Sequence, residues 1–502
     1  MRPFSIMKKA IKYFFVIFSF VFSEARGQNY FNKVYDHNNN DDVSGPVINA
    51  YNSGYILLGE SVSTTVRSMS FIRTDNLGDT IWTKYYGLLN DVYYCGIGGS
   101  LVKTKDSCYA VAGTYTYAPV GDLDGVIMKI DSMGDTLWQK KIGGSGFDEF
   151  QSLVQNPDGS YVMAGGTDRI GHGSVDAWLV KTDSAGNILW QKAYGGTGDD
   201  YAYSVSKTYG GGYILAGYTN SFGAGDWDVY IVKVDSLGNE QWQKTLGFAY
   251  SDNATGIIPT SDKGFFITGS ISKNSGNSNT NCYAAKLDSA GNLIWQKSYW
   301  GLRYNEFDGK GIELSTGDFI VDGMSQDTAA PYNARGLLMK ICSQGDSIWS
   351  RTYKKWDGEN YFDGVALTPG DGFIVAGYAT NGLNIGGGED AWLMKTDSLG
   401  CDSIGCLPST VNCHVTGINE SEIVNQEFEV YPNPSSGNFT IKNNFSGNYE
   451  IEIFNSLGQE VFRNEKVNDK LFEVDLSEQA SGIYFVRCIS GEKIYTEKIV
   501  KE

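Results

Sequence analysis

The sequence predicts an all-β protein, a seven-bladed β-propeller closed by its N-terminal strand and followed by a small C-terminal β-sandwich. Three observations predict it: a long internal repeat, a composition suited to strands and tight turns, and an opening segment that completes the last repeat. The 502 residues, 41% of them hydrophobic, suffice for a sizeable core. The 62 glycines and 32 tyrosines against 10 prolines are typical of short strands, because glycine permits positive φ and aromatic residues suit pleated surfaces.

The repeat is marked by a glycine that closes an apolar run. It recurs at intervals of 52 or 54 residues, at Gly59, Gly113, Gly165, Gly217, Gly269, Gly323 and Gly377. In each unit a basic residue then stands two positions before an acid, as in Lys181 and Asp183, except that Cys342 replaces the acid in the sixth. Self-similarity at such a period indicates a repeat architecture with seven units.

Each unit divides into four short strands. The third unit reads QSLVQ, SYVMAG, DAWLVKTD and ILWQKAY, and the connections include the turns NPDG and SAGN. Short runs rich in Val, Ile, Tyr and Trp, separated by Gly, Asn and Asp, are typical of antiparallel hairpins. Seven such four-stranded units predict a β-propeller, which leaves only short, protected edges.

The N-terminal strand is predicted to complete the seventh blade. A Trp followed two positions later by a base occurs only six times, at Trp82, Trp138, Trp190, Trp242, Trp295 and Trp349. The missing counterpart is YFNKVY at 30–35, with Phe31 in the place of Trp and Lys33 in the place of the base. The last unit has no such strand after Asp397. Because every blade shares the repeated Lys, Asp and Trp, we expect these residues to serve packing and turn geometry.

Residues 1–27 are predicted to be a secretory signal peptide. Lys8, Lys9 and Lys12 precede an apolar run at 13–22 and small residues near Ala25. Its removal takes away five basic residues and one acidic residue, so the net charge would change from -18 to -22. This acidity argues against a nucleic-acid partner, which needs clustered Lys and Arg, but permits cations and glycans. No later apolar stretch is long enough to predict a transmembrane segment.

The predicted domains are therefore a signal peptide at 1–27, a propeller at 28–400, a linker at 401–426 and a C-terminal domain at 427–502.

Binding residues are sought where the blades differ, because variable loops on a rigid scaffold commonly carry function. The richest departures are two crossings between blades, at 299–311 and 353–364. Their ligand-binding candidates are Trp300, Arg303, Tyr304, Trp356, Asp357 and Glu359. Aromatic rings beside charged groups suit a sugar face, and the surface of another protein is an alternative partner. A structural interpretation is that the aromatics cover blade junctions and the charges are solvated.

Metal binding has weaker support in the sequence. Asp122 with Asp124, and Asp226 with Asp228, are candidates for calcium, although Asp next to Gly is also ordinary turn chemistry. Cys401, Cys406, Cys413 and His414 match no familiar zinc spacing, so disulfides or free thiols are favoured. We predict no metal or other cofactor, with calcium as the alternative.

Catalysis is also weakly supported, and no catalytic residue is predicted. Histidine occurs only at positions 37, 172 and 414, and no nucleophile elbow is present. The leading hypothesis is a non-catalytic exported propeller that binds or adheres. The alternative is a secreted polysaccharide-acting enzyme that uses carboxylates on the variable face.

A different pattern begins at Phe428 and predicts a small β-sandwich of alternating strands and turns. Its distinctive residues are Tyr431, Pro432, Asn433, Pro434, Gly437, Asn455, Gly458, Val461, Leu476, Gly482, Tyr484 and Lys498. Through these residues the segment resembles the type A C-terminal sorting domain of type IX secretion, the Por secretion system tail.

This resemblance implies a route and a partner. The signal peptide would deliver the chain to the periplasm of a Gram-negative bacterium, where the outer-membrane translocon would recognise the tail. Cleavage in the linker would then release the passenger or leave it on the cell surface. The repeats resemble those of secreted bacterial propellers and lack the signatures of WD40 and kelch blades, so this second resemblance implies a fold and little more.

Overall fold

The computed structural model describes seventeen stretches of the chain. They are residues 30–36, 41–62, 67–87, 91–96, 100–117, 122–248, 250–272, 280–299, 305–326, 334–370, 372–380, 388–403, 428–432, 435–443, 448–455, 460–490 and 493–501. The chain divides into two compact units, Met1–Thr416 and Gly417–Glu502. Within the described stretches all regular structure is β-strand. The predicted signal peptide and most of the predicted linker lie outside them.

The described strands of the first unit form seven antiparallel sheets, here numbered along the chain. Sheet 1 contains β2 (Asp41–Asn49), β3 (Tyr55–Val62), β4 (Arg67–Thr74) and β5 (Thr80–Tyr86). Sheet 2 contains β6 (Asp91–Cys95), β7 (Leu101–Lys103), β8 (Tyr109–Tyr117), β9 (Leu123–Ile130) and β10 (Thr136–Ile142). Sheet 3 contains β11 (Asp148–Gln155), β12 (Tyr161–Thr167), β13 (Asp176–Thr182) and β14 (Ile188–Tyr194).

Sheet 4 contains β15 (Asp200–Lys207), β16 (Tyr213–Thr219), β17 (Asp228–Val234) and β18 (Glu240–Leu246). Sheet 5 contains β19 (Asp252–Pro259), β20 (Phe265–Ser272), β21 (Thr280–Leu287) and β22 (Leu293–Tyr299). Sheet 6 contains β23 (Asn305–Phe307), β24 (Ile312–Glu313), β25 (Phe319–Gln326), β26 (Ala334–Ile341) and β27 (Ser347–Tyr353). Sheet 7 contains β28 (Asn360–Leu367), β29 (Phe373–Thr380), β30 (Glu389–Thr396) and β1 (Phe31–Tyr35).

The all-β expectation is confirmed, and five of the seven described sheets have four antiparallel strands, whereas sheets 2 and 6 carry two short strands, β6 with β7 and β23 with β24, on one edge. We call the first strand of each sheet its inner strand and the last its outer strand. In sheet 7 the outer strand is β1, which pairs with β30 from Phe31↔Lys395 to Tyr35↔Ala391.

Hydrogen bonds join each sheet to the next, and sheet 7 to sheet 1. The bonds from sheet 1 onward are Cys95 N to Glu60 Oε1 (2.9 Å), Lys105 N to Gln155 Oε1 (3.1 Å), Val205 N to Ser152 Oγ (3.2 Å), Ile257 N to Ser204 Oγ (3.1 Å), Thr255 Oγ1 to Phe307 O (2.6 Å), Asn360 Nδ2 to Ala334 O (3.2 Å) and Asn49 Nδ2 to Leu367 O (2.6 Å). Neighbouring sheets therefore pack face to face, with apolar clusters between them.

The repeated aromatic residue of each outer strand lies against a turn glycine of the next sheet. The contacts are Phe31 with Gly78, Trp82 with Gly134, Trp138 with Gly186, Trp190 with Gly238, Trp242 with Gly291, Trp295 with Gly345 and Trp349 with Gly400. In several sheets a tyrosine at the end of the same strand donates to that glycine's carbonyl, as Tyr35 does to Gly78 (2.8 Å) and Tyr194 to Gly238 (2.7 Å). The N-terminal strand makes the same contacts with sheet 1 that the other outer strands make with their neighbours.

The repeated charged residues also have structural roles. Asp183 accepts hydrogen bonds from the N–H groups of Ala185 and Asn187, both at 2.9 Å, and so closes its turn. Lys286 in a third strand pairs with Asp262 in the first turn of the same sheet at 2.8 Å. These interactions explain why the motif recurs without requiring a common chemical function.

The second unit is built from two sheets around one apolar core. The strand order is β31 (Phe428–Tyr431), β32 (Asn438–Asn443) and β35 (Leu471–Asp475) in one, and β34 (Glu460–Val467), β33 (Tyr449–Asn455), β36 (Gly482–Ser490) and β37 (Lys493–Lys501) in the other. Ile451, Ile453, Val486 and Ile499 are buried between them. The unit has its own core, as expected of a separate domain.

The sorting-motif residues have distinct places in this unit. Leu476 and Tyr484 are buried, and Tyr484 donates to the carbonyl of Ala480 (2.6 Å). Gly437 has φ 131°, and a Cβ there would meet the backbone of Ser477. Tyr431 and Pro432 are exposed, Gly482 begins β36, and Lys498 pairs with Phe485 in the strand register. Asn433, Pro434 and Gly458 lie outside the described residues.

The cysteines follow the disulfide interpretation rather than the metal interpretation where the structure describes them. Cys342 and Cys401 are disulfide-bonded, whereas Cys95, Cys108, Cys282 and Cys488 are not in disulfides. Cys406, Cys413 and His414 lie outside the described residues. A disulfide-bonded Cys401 has no thiolate to offer to a metal ion.

Candidate binding site on the inner strands

The sequence-predicted ligand residues fall into two groups. Trp300, Arg303 and Tyr304 lie outside the described residues. Trp356 is half-buried and packs against the core cluster of sheets 6 and 7. The Asp357 side chain is 94% exposed and pairs with Lys354 at 2.5 Å, while the Glu359 N–H donates to Thr380 Oγ1 at 2.6 Å. In the described crossing the tryptophan thus contributes to packing.

The first position of most inner strands carries a buried Asp or Asn with a local task. Asp200 Oδ2 accepts the N–H of Gly196 at 2.7 Å, and Asn360 Oδ1 accepts the N–H of Lys355 at 2.8 Å. These bonds hold the crossing that enters each inner strand. We therefore assign this recurring side chain to structure, because buried backbone donors need partners.

The second and fourth positions of the inner strands differ from sheet to sheet. Counted from the recurring Asp or Asn as the first, these positions carry Glu149 and Gln151 in sheet 3, Tyr201 and Tyr203 in sheet 4, Asn253 and Thr255 in sheet 5, Glu306 and Asp308 in sheet 6, where Asp308 directly follows β23, and Tyr361 and Asp363 in sheet 7. In sheets 3, 4, 5 and 7 the strand register skips the fourth position, so that residue is a β-bulge. Bulges redirect side chains and are common beside functional sites.

We call these residues, with Glu60, Tyr218 and Tyr378 on the adjoining second strands, the inner face. It carries tyrosines, carboxylates and amides that the repeat does not require. Sequence reasoning missed it, although a signal existed: the two variable residues always follow the recurring Asp or Asn at a fixed distance.

Sheet 4 contributes a cluster of aromatic rings, and sheet 3 places a carboxylate beside it. Tyr201 and Tyr218 are stacked with ring centroids 5.6 Å apart, and Tyr203 lies 5.0 Å from Tyr201. Trp227, from a variable loop, meets Tyr218 edge to face at 4.8 Å. Tyr201 donates to Glu149 Oε2 at 2.6 Å, which fixes its ring. The half-buried rings of Tyr203 and Tyr218 provide apolar surface beside a carboxylate.

Sheets 6 and 7 contribute a cluster of acids, Glu306, Asp308, Asp322 and Asp363, which we call the acid cluster. Burial, and secondarily the charge of Glu389, raises the pKa of Asp363 to about 7. Burial and the charges of Asp363 and Glu306 raise the pKa of Asp308 well above its usual value. Asp322 is fully buried, and within the described residues neither of its carboxylate oxygens has a hydrogen-bond partner. The protein thus concentrates four acids here, and among the described residues Asp322 lacks a hydrogen-bond partner for its carboxylate.

A tyrosine pair adjoins the acid cluster. Tyr361 and Tyr378 are stacked at 4.8 Å with an interplanar angle of 12°. The charges of Glu359, Asp308, Glu306 and Asp363, after burial itself, raise the pKa of Tyr361. Its hydroxyl group is therefore close to the acids.

A lysine between two members of the acid cluster in the chain links sheet 6 to sheet 4. Lys310, which follows Asp308 on the same segment, donates from Nζ to the carbonyl of Val205 in sheet 4 at 2.8 Å. Burial lowers its pKa to about 7, because a low-polarity environment disfavours the ammonium form.

Two of the four calcium candidates predicted from sequence, Asp228 and Asp122, accept local backbone hydrogen bonds. Asp228 is buried and accepts the N–H of Gly225 at 3.0 Å, and Asp122 accepts that of Gly146 at 3.4 Å. Within the described stretches, one group of three carboxylates could converge on a cation. It comprises Asp36, Asp42 and Asp390, whose ligand oxygens lie within 4.8 Å of one another.

The acid cluster predicts a pH dependence of stability. An acid whose pKa is higher in the folded chain binds more protons there, so stability falls as pH rises between the two pKa values. For Asp363 this interval runs from about 4, the usual value for Asp, to about 7. Asp363→Asn should therefore raise the melting temperature at pH 8 relative to the unsubstituted protein and change it much less at pH 5.

The control for this measurement is Asp183→Asn. Asp183 lies in an exposed turn, and its hydrogen bonds with Asn187 lower its pKa. Its carboxylate therefore stabilises the folded chain as pH rises, which is opposite to the effect expected of Asp363. Thermal unfolding at pH 5 and pH 8 compares the two variants. An Asp363→Asn protein no more stable at pH 8 than the unsubstituted protein would contradict the assignment.

The C-terminal unit matches a known family. Residues 429–502 match the secretion system C-terminal sorting domain. The predicted sorting domain is thus confirmed, and it implies type IX secretion, interaction with that secretion machinery, and a cell-surface or extracellular location. Among the described residues no helix has the length and apolarity needed to cross a membrane.

A curated relative matches a larger part of the chain at lower similarity. It is the regulatory protein FlaEY of Caulobacter vibrioides, 24% identical over 314 residues. The match covers 57% of this chain and 31% of FlaEY, so the chain spans about a third of that protein.

Several solved structures are similar to the chain. The WD40 domain of Toxoplasma gondii coronin is 8% identical, with a TM-score of 0.42 over 73% of this chain and 86% of that one. The β-propeller domain of the Trilobed protease of Pyrococcus furiosus is 10% identical, with a TM-score of 0.38 over 73% and 95%. Polysaccharide lyase Uly1 is 10% identical, with a TM-score of 0.40 over 76% and 90%. These proteins give no information on what this chain binds.

Proposed function

We propose that the chain is an exported seven-bladed β-propeller that binds a glycan through its inner face and does not act on it. The ring is supported by the seven sheets, by the hydrogen bonds that run from each sheet to the next and from sheet 7 to sheet 1, and by the recurring contact of an outer-strand aromatic ring with a turn glycine. The C-terminal unit would direct it to the cell surface or the medium, where such binding serves adhesion.

The observation that carries the binding proposal is the composition of the inner face. The repeat conserves the residues that hold sheets together, yet at the second and fourth inner-strand positions it varies and supplies tyrosines and carboxylates. Half-buried aromatic rings beside hydrogen-bonding groups match the two faces of a sugar ring, one apolar and one polar. The variable loop that contributes Trp227 reaches the same place.

Tyr203→Ala and Tyr378→Ala test the proposal. Each variant should weaken the binding of a glycan identified on an array by about tenfold or more, because losing a stacked ring costs about 1.4 kcal/mol or more. Tyr209→Ala is the matched control, since Tyr209 is 63% exposed and lies on the turn after β15, away from the inner face. Titration calorimetry with the full chain gives the affinities.

If Tyr203→Ala and Tyr378→Ala bind the glycan as tightly as the Tyr209→Ala control, the inner face is not the binding site.

A catalytic alternative is supported by one observation, the raised pKa of Asp363, because an acid titrating near neutral pH is suited to proton transfer. Release of reducing ends that is abolished by Asp363→Asn would establish an enzyme and overturn the binding proposal.

A further inference from the structure

We propose that the acid cluster and the Tyr361–Tyr378 pair together bind a sugar that carries a free ammonium group. This proposal rests on the function proposed above and names its ligand class. Asp308 and Asp363 would accept hydrogen bonds from the ammonium group, while the stacked tyrosines would support the sugar ring.

The repeat places the two accessible acids side by side. Asp363 is the fourth residue of β28, and Asp308 directly follows the last residue of β23, so each acid comes directly after a Phe, Phe362 and Phe307 respectively. Phe307 and Phe362 both pair with the glycine that marks the repeat, Gly323 and Gly377 respectively, so the two positions are equivalent. Both acids are half-buried and therefore remain within reach of a ligand.

The third acid, Asp322, has no hydrogen-bond partner for its carboxylate among the described residues. Asp322 lies on β25, its carbonyl accepts the N–H of Asp308 at 3.2 Å, and its carboxylate lies against Gly309. In the equivalent place the other sheets carry Leu58, Ala112, Ala164, Ala216, Thr268 and Ala376. A fully buried carboxyl group without a hydrogen bond is costly, and a bound cation nearby offsets that cost.

The spacing of the acids favours an extended ligand over a bare metal ion. Among the described residues only Asp36, Asp42 and Asp390 bring three carboxylate oxygens within 4.8 Å of one another, so the acid cluster does not converge in that way. Calcium requires six to eight oxygens at 2.3–2.6 Å. An ammonium group donates up to three directed hydrogen bonds, and the sugar that carries it gains contact area on the tyrosine rings.

Titration calorimetry of the full chain with glucosamine tetramer and with N-acetylglucosamine tetramer tests this proposal. The two sugars differ in the ammonium groups that acetylation removes. We expect the glucosamine tetramer to bind at least tenfold more tightly, and Asp363→Asn or Asp308→Asn to lower its affinity at least tenfold. Asp183→Asn, the same substitution in a turn of sheet 3 outside the inner face, should leave the affinity unchanged.

Each arm has a result that contradicts a defined part of the proposal. Equal affinity for both tetramers, or unchanged affinity in folded Asp363→Asn and Asp308→Asn proteins, overturns the ammonium site and leaves the glycan-binding function standing. Putrescine that binds as tightly as the glucosamine tetramer overturns the role of the tyrosine pair. If the unsubstituted chain binds no glycan, the proposed function itself is contradicted.

Discussion

Deletion of residues 30–35 is expected to lower the melting temperature by more than about 10 °C and to make the first unit sensitive to proteases. The deletion removes the whole of β1, which pairs with β30 along five residues. It also removes Phe31, which is buried against Gly78, and Lys33, which pairs with Asp79. Loss of a buried Phe side chain alone costs about 3–5 kcal/mol, and the exposed edge of β30 adds to it.

A point substitution separates packing from the loss of the strand. Phe31→Ala should account for a large part of the destabilisation, because its ring contacts both sheet 7 and the turn of sheet 1. Leu77→Ala is its control, since Leu77 lies in that same turn but is 46% exposed. Thermal unfolding and limited proteolysis give the comparison. A deletion protein with an unchanged melting temperature would show that the N-terminal strand does not close the ring.

The second large effect is expected at the contact between an outer strand and the next turn. Gly238 has φ 77°, and a Cβ placed there would lie 2.9 Å from Cζ3 of Trp190. Gly238→Ala should therefore combine backbone strain of about 1–2 kcal/mol with overpacking of about 1–3 kcal/mol. The ring of Trp190 would have to move, which loosens sheet 3 from sheet 4.

Gly211 provides a matched control for this substitution. Its φ of 84° is nearly the same, but nothing lies within 4 Å of a Cβ placed there. Gly211→Ala should show the backbone strain alone, so the difference between the two urea unfolding midpoints measures the packing of the turn against Trp190. Equal destabilisation by both substitutions would mean that this packing contributes little.

Much of this architecture follows from the sequence because its causes are local and repeated. A turn whose geometry requires Asp at one position and Gly at another has the same residues in each repeat. Asp183 and Gly186 are the example in sheet 3. The aromatic ring two residues before a base marks each outer strand. The place of β1 in sheet 7 was predictable because Phe31 and Lys33 fill the two positions that the last unit lacks.

The inner face was not predictable in the same way. Glu149, Tyr203, Asp308 and Asp363 are each separated by about fifty residues or more, and each alone reads as an ordinary strand residue. Their side chains share one face because a bulge reorients the fourth position and because sheets related by the repeat place equivalent positions together. Trp356, a ligand candidate from the sequence, is half-buried and packs against the core cluster of sheets 6 and 7, a contact that the sequence did not reveal.

The sequence by itself thus determined the strands, the seven repeat units and the sorting tail, since these depend on periodicity and on contiguous motifs. The tertiary structure alone decided which variable residues meet. Proximity among residues distant in the chain depends on how the sheets pack, and so does the burial of Asp322 without a hydrogen-bond partner among the described residues.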